Sequence, residues 1–397
     1  MENFEFYTPT RVLFGKGQEE KVGKLIREFG GTKVLLHYGG QSAKKSGLLD
    51  RVKSCLEAEG LKYVELGGVR ANPELALVKE GIALARKEKV DFVLAVGGGS
   101  VIDSSKAIAN GAANPEVEDV WDFSMKKAAP VRTLPKGVIL TLAAAGSEMS
   151  ESCVITNPEV NLKRGYNSRL NRVQFAIENP ELTYSVPPYQ TACGAVDIAM
   201  HTMERYFSPG EDTDLTDALA EAVMRTIIKA GKEAYFGPEN YAARGNMMWA
   251  SSLAHNDLTG NGRKCFLPVH QMEHELSGLH TEITHGAGLA ALWCSWARYV
   301  YTYSLSRFVR FAVNVWGVQE DFEHPEKTAL EGIRRQEEYY KELSMPTSIR
   351  EFGIKEEELE TLAEMCCYRH TRTLPGYKVL DYDDILKIYR LSWELGA

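Results

Sequence analysis

The chain has 397 residues, 44% of them apolar and 25% charged, with a net charge of −8. That is enough for one or two hydrophobic cores, and two domains is the expectation. The acidic balance excludes a nucleic-acid or anionic-membrane surface as the main role, and no apolar run reaches the roughly 18 residues of a membrane helix.

The first residues, Met1-Glu2-Asn3-Phe4-Glu5-Phe6, are acidic and lack a basic segment followed by an apolar one. No signal peptide is expected, and a cytoplasmic location follows. Seven scattered cysteines without a Cys-x-x-Cys pair fit a reducing compartment. Lys33–Tyr38 reads as a strand ending at Gly39-Gly40, and 47–59 as an amphipathic helix with Leu48, Leu49, Val52 and Leu56 on one face. Lys62–Leu66 is a short strand and 73–89 a helix. Phe92–Val96 is a continuous apolar strand of the kind found in parallel sheets, and 137–141 is another. Strand and helix alternating over short links predict a doubly wound α/β domain.

From about Tyr189 the patterns turn helical, most clearly over 216–235 and 326–343. Pro187-Pro188 cannot continue a central strand or a helix interior, which places the boundary near 180–188. The expected division is an α/β nucleotide-binding domain over 1–185 and an all-helical metal-binding domain over 186–397, with the active site in the cleft between them. There is no internal repeat and no low-complexity tract.

Two motifs carry chemistry. Gly97-Gly98-Gly99-Ser100 follows a strand and opens a helix. Three glycines let the backbone approach a pyrophosphate, and the helix N-terminus behind them offers N–H groups and a partial positive charge. No Gly-x-Gly-x-x-Gly follows the first strand, so this is not the standard Rossmann fingerprint. A second glycine turn, Gly39-Gly40, leads into Ser42, Lys44 and Lys45 with no acidic residue to grip a ribose 2′-hydroxyl. That favours NADP(H) over NAD(H).

The other motif is a set of metal-ligand types. Asp197 and His201 stand at i,i+4 on a predicted helix, as do His270 and His274, and His285 follows a short loop. One carboxylate with two or three imidazoles suits Fe2+ or Zn2+. His255 and His280 compete for a place in the set, whereas His37, His324 and His370 read as structural. A metal and a nucleotide in one chain point to hydride exchange at a carbon whose oxygen the metal polarises.

These residues together resemble the iron-containing (group III) alcohol dehydrogenases, with their dehydroquinate synthase-like fold, nearly end to end. The resemblance runs from 6–17 through Tyr38-Gly39-Gly40, Gly97-Gly98-Gly99-Ser100 with Asp103 and Lys106, Gly146-Ser147-Glu148, Asp197-x-x-x-His201, His270-x-x-x-His274 and His285-Gly286. Tyr38-Gly39-Gly40 with its lysines, and Pro375-Gly376-Tyr377-Lys378, are most similar to the butanol dehydrogenase and NADPH-dependent aldehyde reductase branch. The resemblance implies that Asp197, His201, His270 and His285 hold the metal and that His274 stands behind them as a proton relay. It implies cofactor contacts from Asn72, Gly98, Gly99, Ser100, Thr141 and Lys163, with Asp103 bracing the loop, and it implies a homodimer. The chain departs from the family in reading one residue longer between His274 and His285, and in carrying Ala145 where relatives have a hydroxyl. The expected activity is metal-dependent interconversion of short-chain primary alcohols and aldehydes such as butanol and butanal. The alternatives are a polyol or phosphorylated-polyol dehydrogenase of the same fold, for which Arg263 and Lys264 could meet a phosphate, and a non-catalytic metal or nucleotide sensor.

Overall fold

The computed structural model describes residues 1–395. It divides into two compact units, and the chain passes from one to the other at Val186/Pro187. The first unit comprises Tyr7–Val186 and Pro238–Asn256; the second comprises Met1–Phe6, Pro187–Gly237 and the chain from Asp257 onward. The division differs from a single cut in the 180–188 region in two segments. The N-terminal hexapeptide belongs to the helical unit, and the helix Tyr241–Ala254, expected there, belongs to the α/β unit.

The first unit is built on a six-stranded, wholly parallel sheet in the order β1-β8-β5-β4-β2-β3. The strands are β1 (Arg11–Phe14), β2 (Lys33–Tyr38), β3 (Lys62–Leu66), β4 (Phe92–Gly97), β5 (Lys136–Leu140) and β8 (Phe175–Glu178). β6 (Ser152–Asn157) and β7 (Leu162–Asn167) form a separate antiparallel pair. All six residues of β4 are buried, as a strand covered on both faces requires. Successive side chains alternate between the two covers. Val34, Leu36, Leu94 and Val96 join the core beneath the helices Val22–Glu28 and Leu48–Ala58, while Leu35 and Val93 join the core beneath Leu75–Glu88 and Gly99–Ala113. Truncating one such side chain, Leu94→Ala for example, costs about 2–5 kcal/mol.

The strand order locates the ligand end of this unit. From β2 the chain moves outward to β3, returns to β4 on the other side of β2, and continues away to β5. The order reverses between β2 and β4, and ligands of doubly wound sheets bind beyond the carboxyl ends of the strands at such a switch point. Gly39-Gly40 ends β2 and Gly97-Gly98-Gly99 ends β4.

In the second unit the chain is helical: Pro188–Tyr206, Asp214–Phe236, Pro268–Leu279, His285–Val300, Leu305–Asn314, Pro325–Glu342, Leu359–Cys366 and Tyr382–Glu394. Pro188 occupies the first position of its helix, where its missing N–H costs nothing. That helix is buried from Thr191 to Tyr206 and forms the centre of the unit. Its neighbours come close through glycine. A Cβ on Gly286 would lie 2.2 Å from the Cys193 carbonyl oxygen, and one on Gly231 would lie 2.6 Å from the Ala195 Cβ.

Candidate metal centre and nucleotide-binding loop

The central helix of the second unit places Asp197, His201 and Glu204 at i, i+4 and i+7, on one face. His270 lies in the first turn of Pro268–Leu279, and His285 is the first residue of the next helix. Asp197 Oδ1 is 3.3 Å from His201 Nε2, 3.7 Å from His270 Nε2 and 3.9 Å from His285 Nε2. Asp197 Oδ1 and His270 Nε2 are buried and make no hydrogen bond, a costly arrangement unless a cation satisfies them. Metal–ligand bonds of about 2.0–2.2 Å put tetrahedral donors about 3.3–3.6 Å apart. The Asp197–His201 separation lies on that edge and the other two are up to 0.3 Å longer, and the donor set is one a divalent Fe or Zn accepts.

Two further carboxylates stand behind the imidazoles. His270 Nδ1 contacts Glu204 Oε2, and His285 Nδ1 contacts Glu273 Oε2. Burial lowers the His270 pKa, but the charges of Glu204 and Asp197 outweigh it and raise the pKa to about 9. The His274 ring stands 5.6 Å from that of His285 and 6.5 Å from that of His270. Asp197, His201 and His270 form one group of potential ligands, and Glu273, His274 and His285 form a second beside it. The His285 ring centroid is 5.2 Å from that of His270.

His280 is not part of the cluster. Its Nε2 bonds Glu358 Oε1 at 2.8 Å. His255 lies in the first unit, where its Nδ1 bonds the Ala145 carbonyl at 2.6 Å. His37 is a core histidine between the Leu66 carbonyl and Ser104 Oγ, both at 2.8 Å, and burial lowers its pKa to about 4.

In the first unit, the glycine turn after β4 is fixed by packing. A Cβ on Gly97 would lie 2.4 Å from Val101 Cγ2, one on Gly98 3.1 Å from Leu142 Cβ, and one on Gly99 3.2 Å from Ala145 Cβ. The glycines therefore have a structural reason to be there, and the half-buried Gly98, Gly99 and Ser100 leave backbone at the surface of the helix start. Thr141 is beside them, its N–H donating to the Gly97 carbonyl at 3.1 Å. Gly39 and Gly40 end the adjacent strand, Ser42 is exposed beyond them, and Lys44 Nζ lies 5.2 Å over the Tyr38 ring. Pro73, the neighbour of Asn72, and Lys163, far apart in sequence, meet one strand residue. Thr156 N–H donates to the carbonyl of Pro73, next to Asn72, and Thr156 pairs with Lys163 across β6 and β7.

Asp103 differs from the rest. Its carboxylate accepts from Ser147 Oγ and, at 2.9 Å, from Val154 N–H, and it lies 3.7 Å from Lys106 Nζ. It ties the helix to the 147–154 segment, which makes it a brace.

The iron-containing alcohol dehydrogenase model matches residues 9–180, and the C-terminal model of the Fe-containing alcohol dehydrogenase family matches 191–393. The chain belongs to the iron-containing alcohol dehydrogenase family. It is thus an oxidoreductase of a family that uses NAD(P) and a divalent metal. It is 40% identical to the NADH-dependent butanol dehydrogenase A of Clostridium acetobutylicum, over 99% of this chain and 100% of that one. It is 35% identical to the NADPH-dependent aldehyde reductase YqhD of Escherichia coli, over 89% and 90% of the two chains. The solved structure of a NADH-dependent butanol dehydrogenase A from Thermotoga maritima superposes with a TM-score of 0.94 at 36% identity, covering 99% of both chains. The fold is accordingly the dehydroquinate synthase-like one, a parallel α/β unit and a helical unit. Among the described residues no helix is long and apolar enough to cross a membrane.

For this iron-containing alcohol dehydrogenase, sequence reasoning overlooked Glu204 and Glu273. The signal was present: Glu204 is one turn beyond His201 on the same helix face, and Glu273 is i+3 from His270.

Proposed function

We propose that this family member reduces short-chain aldehydes to primary alcohols, with butanal and butanol as the reference pair, using NADPH in preference to NADH, and that it runs the reverse oxidation. The observation that carries this reading is the convergence of three imidazole Nε2 atoms on Asp197 Oδ1, at 3.3–3.9 Å. Asp197, His201, His270 and His285 would hold Fe2+ or Zn2+. Such a cation supplies Lewis-acid polarisation of a carbonyl and lowers the pKa of an alcohol.

Gly98, Gly99 and Ser100 take the pyrophosphate at the helix start, and Gly39, Gly40 and Ser42 border the adenosine ribose. Asn72, Thr141 and Lys163 complete the cofactor contacts, and Asp103 holds the loop they depend on. Bound NAD(P)H would supply the hydride for a carbonyl carbon, and His274 would relay a proton to the carbonyl oxygen. No side-chain nucleophile is needed. The preference for NADPH rests on Ser42, Lys44 and Lys45, with no carboxylate from Gly39 to Lys45. We read the enzyme as a cytoplasmic homodimer. Its seven cysteines are all free, which suits a reducing compartment.

A phosphorylated-polyol substrate would need free basic groups. The buried Arg263 guanidinium is engaged by Asp217, by Thr213 Oγ1 at 2.7 Å and by the Tyr206 carbonyl at 3.0 Å, which leaves that reading without its main support. The test is to compare kcat/KM for butanal, glycerol and glycerol 1-phosphate with each nicotinamide cofactor. Butanal with NADPH is expected to lead; a higher value for the phosphorylated polyol would overturn the proposal.

A further inference from the structure

We infer that Glu204 and Glu273 are positioning residues that fix the tautomers of His270 and His285 and so aim both Nε2 atoms at the metal. This rests on the metal-centre reading above. A carboxylate can only accept, so each Nδ1 beside one must carry the proton. In the neutral ring, the form that can bind a metal, the lone pair is then on Nε2, the atom that faces Asp197 Oδ1. The two glutamates are buried, and a buried carboxylate is stable only where donors meet it.

The two are built differently. Glu204 also receives the backbone N–H of Val269 at 2.6 Å on Oε1 and that of His270 at 3.2 Å on Oε2. It thereby caps the helix Pro268–Leu279, which has no side-chain cap of its own. Both of its oxygens must accept. A glutamine at 204 would set its NH2 against either Val269 N–H or His270 Nδ1, and the second choice drives the proton to Nε2, where it blocks ligation. Glu273 presents Oε2 to His285 Nδ1, and a glutamine there can turn its oxygen to the same place. Space for Glu273 comes from Gly288: a Cβ there would lie 2.9 Å from Glu273 Cγ and 3.0 Å from Oε1.

The experiment is a Zn2+ dissociation constant from competition with a chromophoric chelator, alongside the visible absorption spectrum of the Co2+ form. The proteins are wild type, Asp197→Ala, Glu204→Gln, Glu273→Ala, Glu273→Gln and Gly288→Ala, each with its melting temperature. Carboxylates behind metal-bound histidines contribute about 10–100-fold in affinity. Glu273→Ala, Gly288→Ala and Glu204→Gln are expected to weaken Zn2+ binding by that factor, and Glu273→Gln to restore affinity and the wild-type Co2+ spectrum. Wild-type affinity in both Glu273→Ala and Glu204→Gln, with Asp197→Ala weakened, would overturn the positioning role and leave the metal centre standing. Unchanged affinity in Asp197→Ala would instead remove the metal centre itself. Equal losses in Glu273→Ala and Glu273→Gln would also contradict the tautomer argument.

Discussion

Asp197 Oδ1 and His201 Nε2 lie 3.3 Å apart, one helical turn from each other on a helix buried along most of its length. A pair so placed cannot turn to solvent, and the proposed shared cation would account for both its burial and its spacing. His201→Ala is therefore expected to leave the fold intact, to reduce bound metal to a small fraction of one per chain, and to lower kcat/KM by about 100-fold or more, about 2.7 kcal/mol. Elemental analysis together with turnover checks this. Full metal content in the variant would contradict it.

Gly286 follows His285 and packs on the backbone of Cys193, with no room for a methyl group. Gly286→Ala must push the helix His285–Val300 away from the central helix. Overpacking of this kind costs about 1–3 kcal/mol. A lower melting temperature and weaker Zn2+ binding are expected together, because the displaced helix carries His285. A variant with a lower melting temperature and unchanged Zn2+ affinity would show that His285 is not a ligand.

In the first unit, Ser252 Oγ lies 2.8 Å from Glu148 Oε1 and 2.7 Å from Glu178 Oε1. One hydroxyl has one proton to give, so one of these buried acids must supply the other. Burial, and then the charge of Glu148, push the Glu178 pKa up to about 8 from 4.5. The folded state keeps a proton that the unfolded chain gives up near 4.5. Stability from this group is complete below that pH, declines as pH rises, and is flat above about 8. The slope is at most about 1.4 kcal/mol per pH unit. Glu178→Gln should therefore melt progressively higher than wild type between pH 5 and 8, as followed by circular dichroism. Parallel curves across that range would refute the shared proton.

Ser42 is exposed just beyond the end of β2, at the switch point. A carboxylate there would accept from a ribose 2′-hydroxyl and repel a 2′-phosphate. Ser42→Asp should lower the NADPH-to-NADH ratio of kcat/KM by about tenfold, or about 1.4 kcal/mol. An unchanged ratio would place the adenosine ribose elsewhere.

Much of this was readable from the sequence because the signals were local. Lys33–Tyr38 and Phe92–Val96 are long apolar runs, and Asp197-x-x-x-His201 is a helical spacing with ligand types in it. The four-residue strands β1 and β8 gave too short a pattern to detect, and the pair β6 and β7 carries Lys163, Arg164 and Gly165, which do not alternate as a half-buried strand does. The helix Tyr241–Ala254 looked like its helical neighbours; its partners, the Gly146 turn and Glu178, are distant in sequence. Glu204 and Glu273 were passed over because a glutamate on a helix face is ordinarily solvated, and only tertiary packing buries them.

The central claim is that aldehyde reduction depends on a metal held by Asp197, His201, His270 and His285. The most direct measurement is butanal-dependent oxidation of NADPH by protein stripped of metal and reloaded with Fe2+ or Zn2+, in wild type and in His270→Ala. Turnover lost on stripping, regained on reloading in wild type and absent in the variant is the predicted result. Equal turnover by stripped and reloaded protein, or full activity and metal content in His270→Ala, would contradict it.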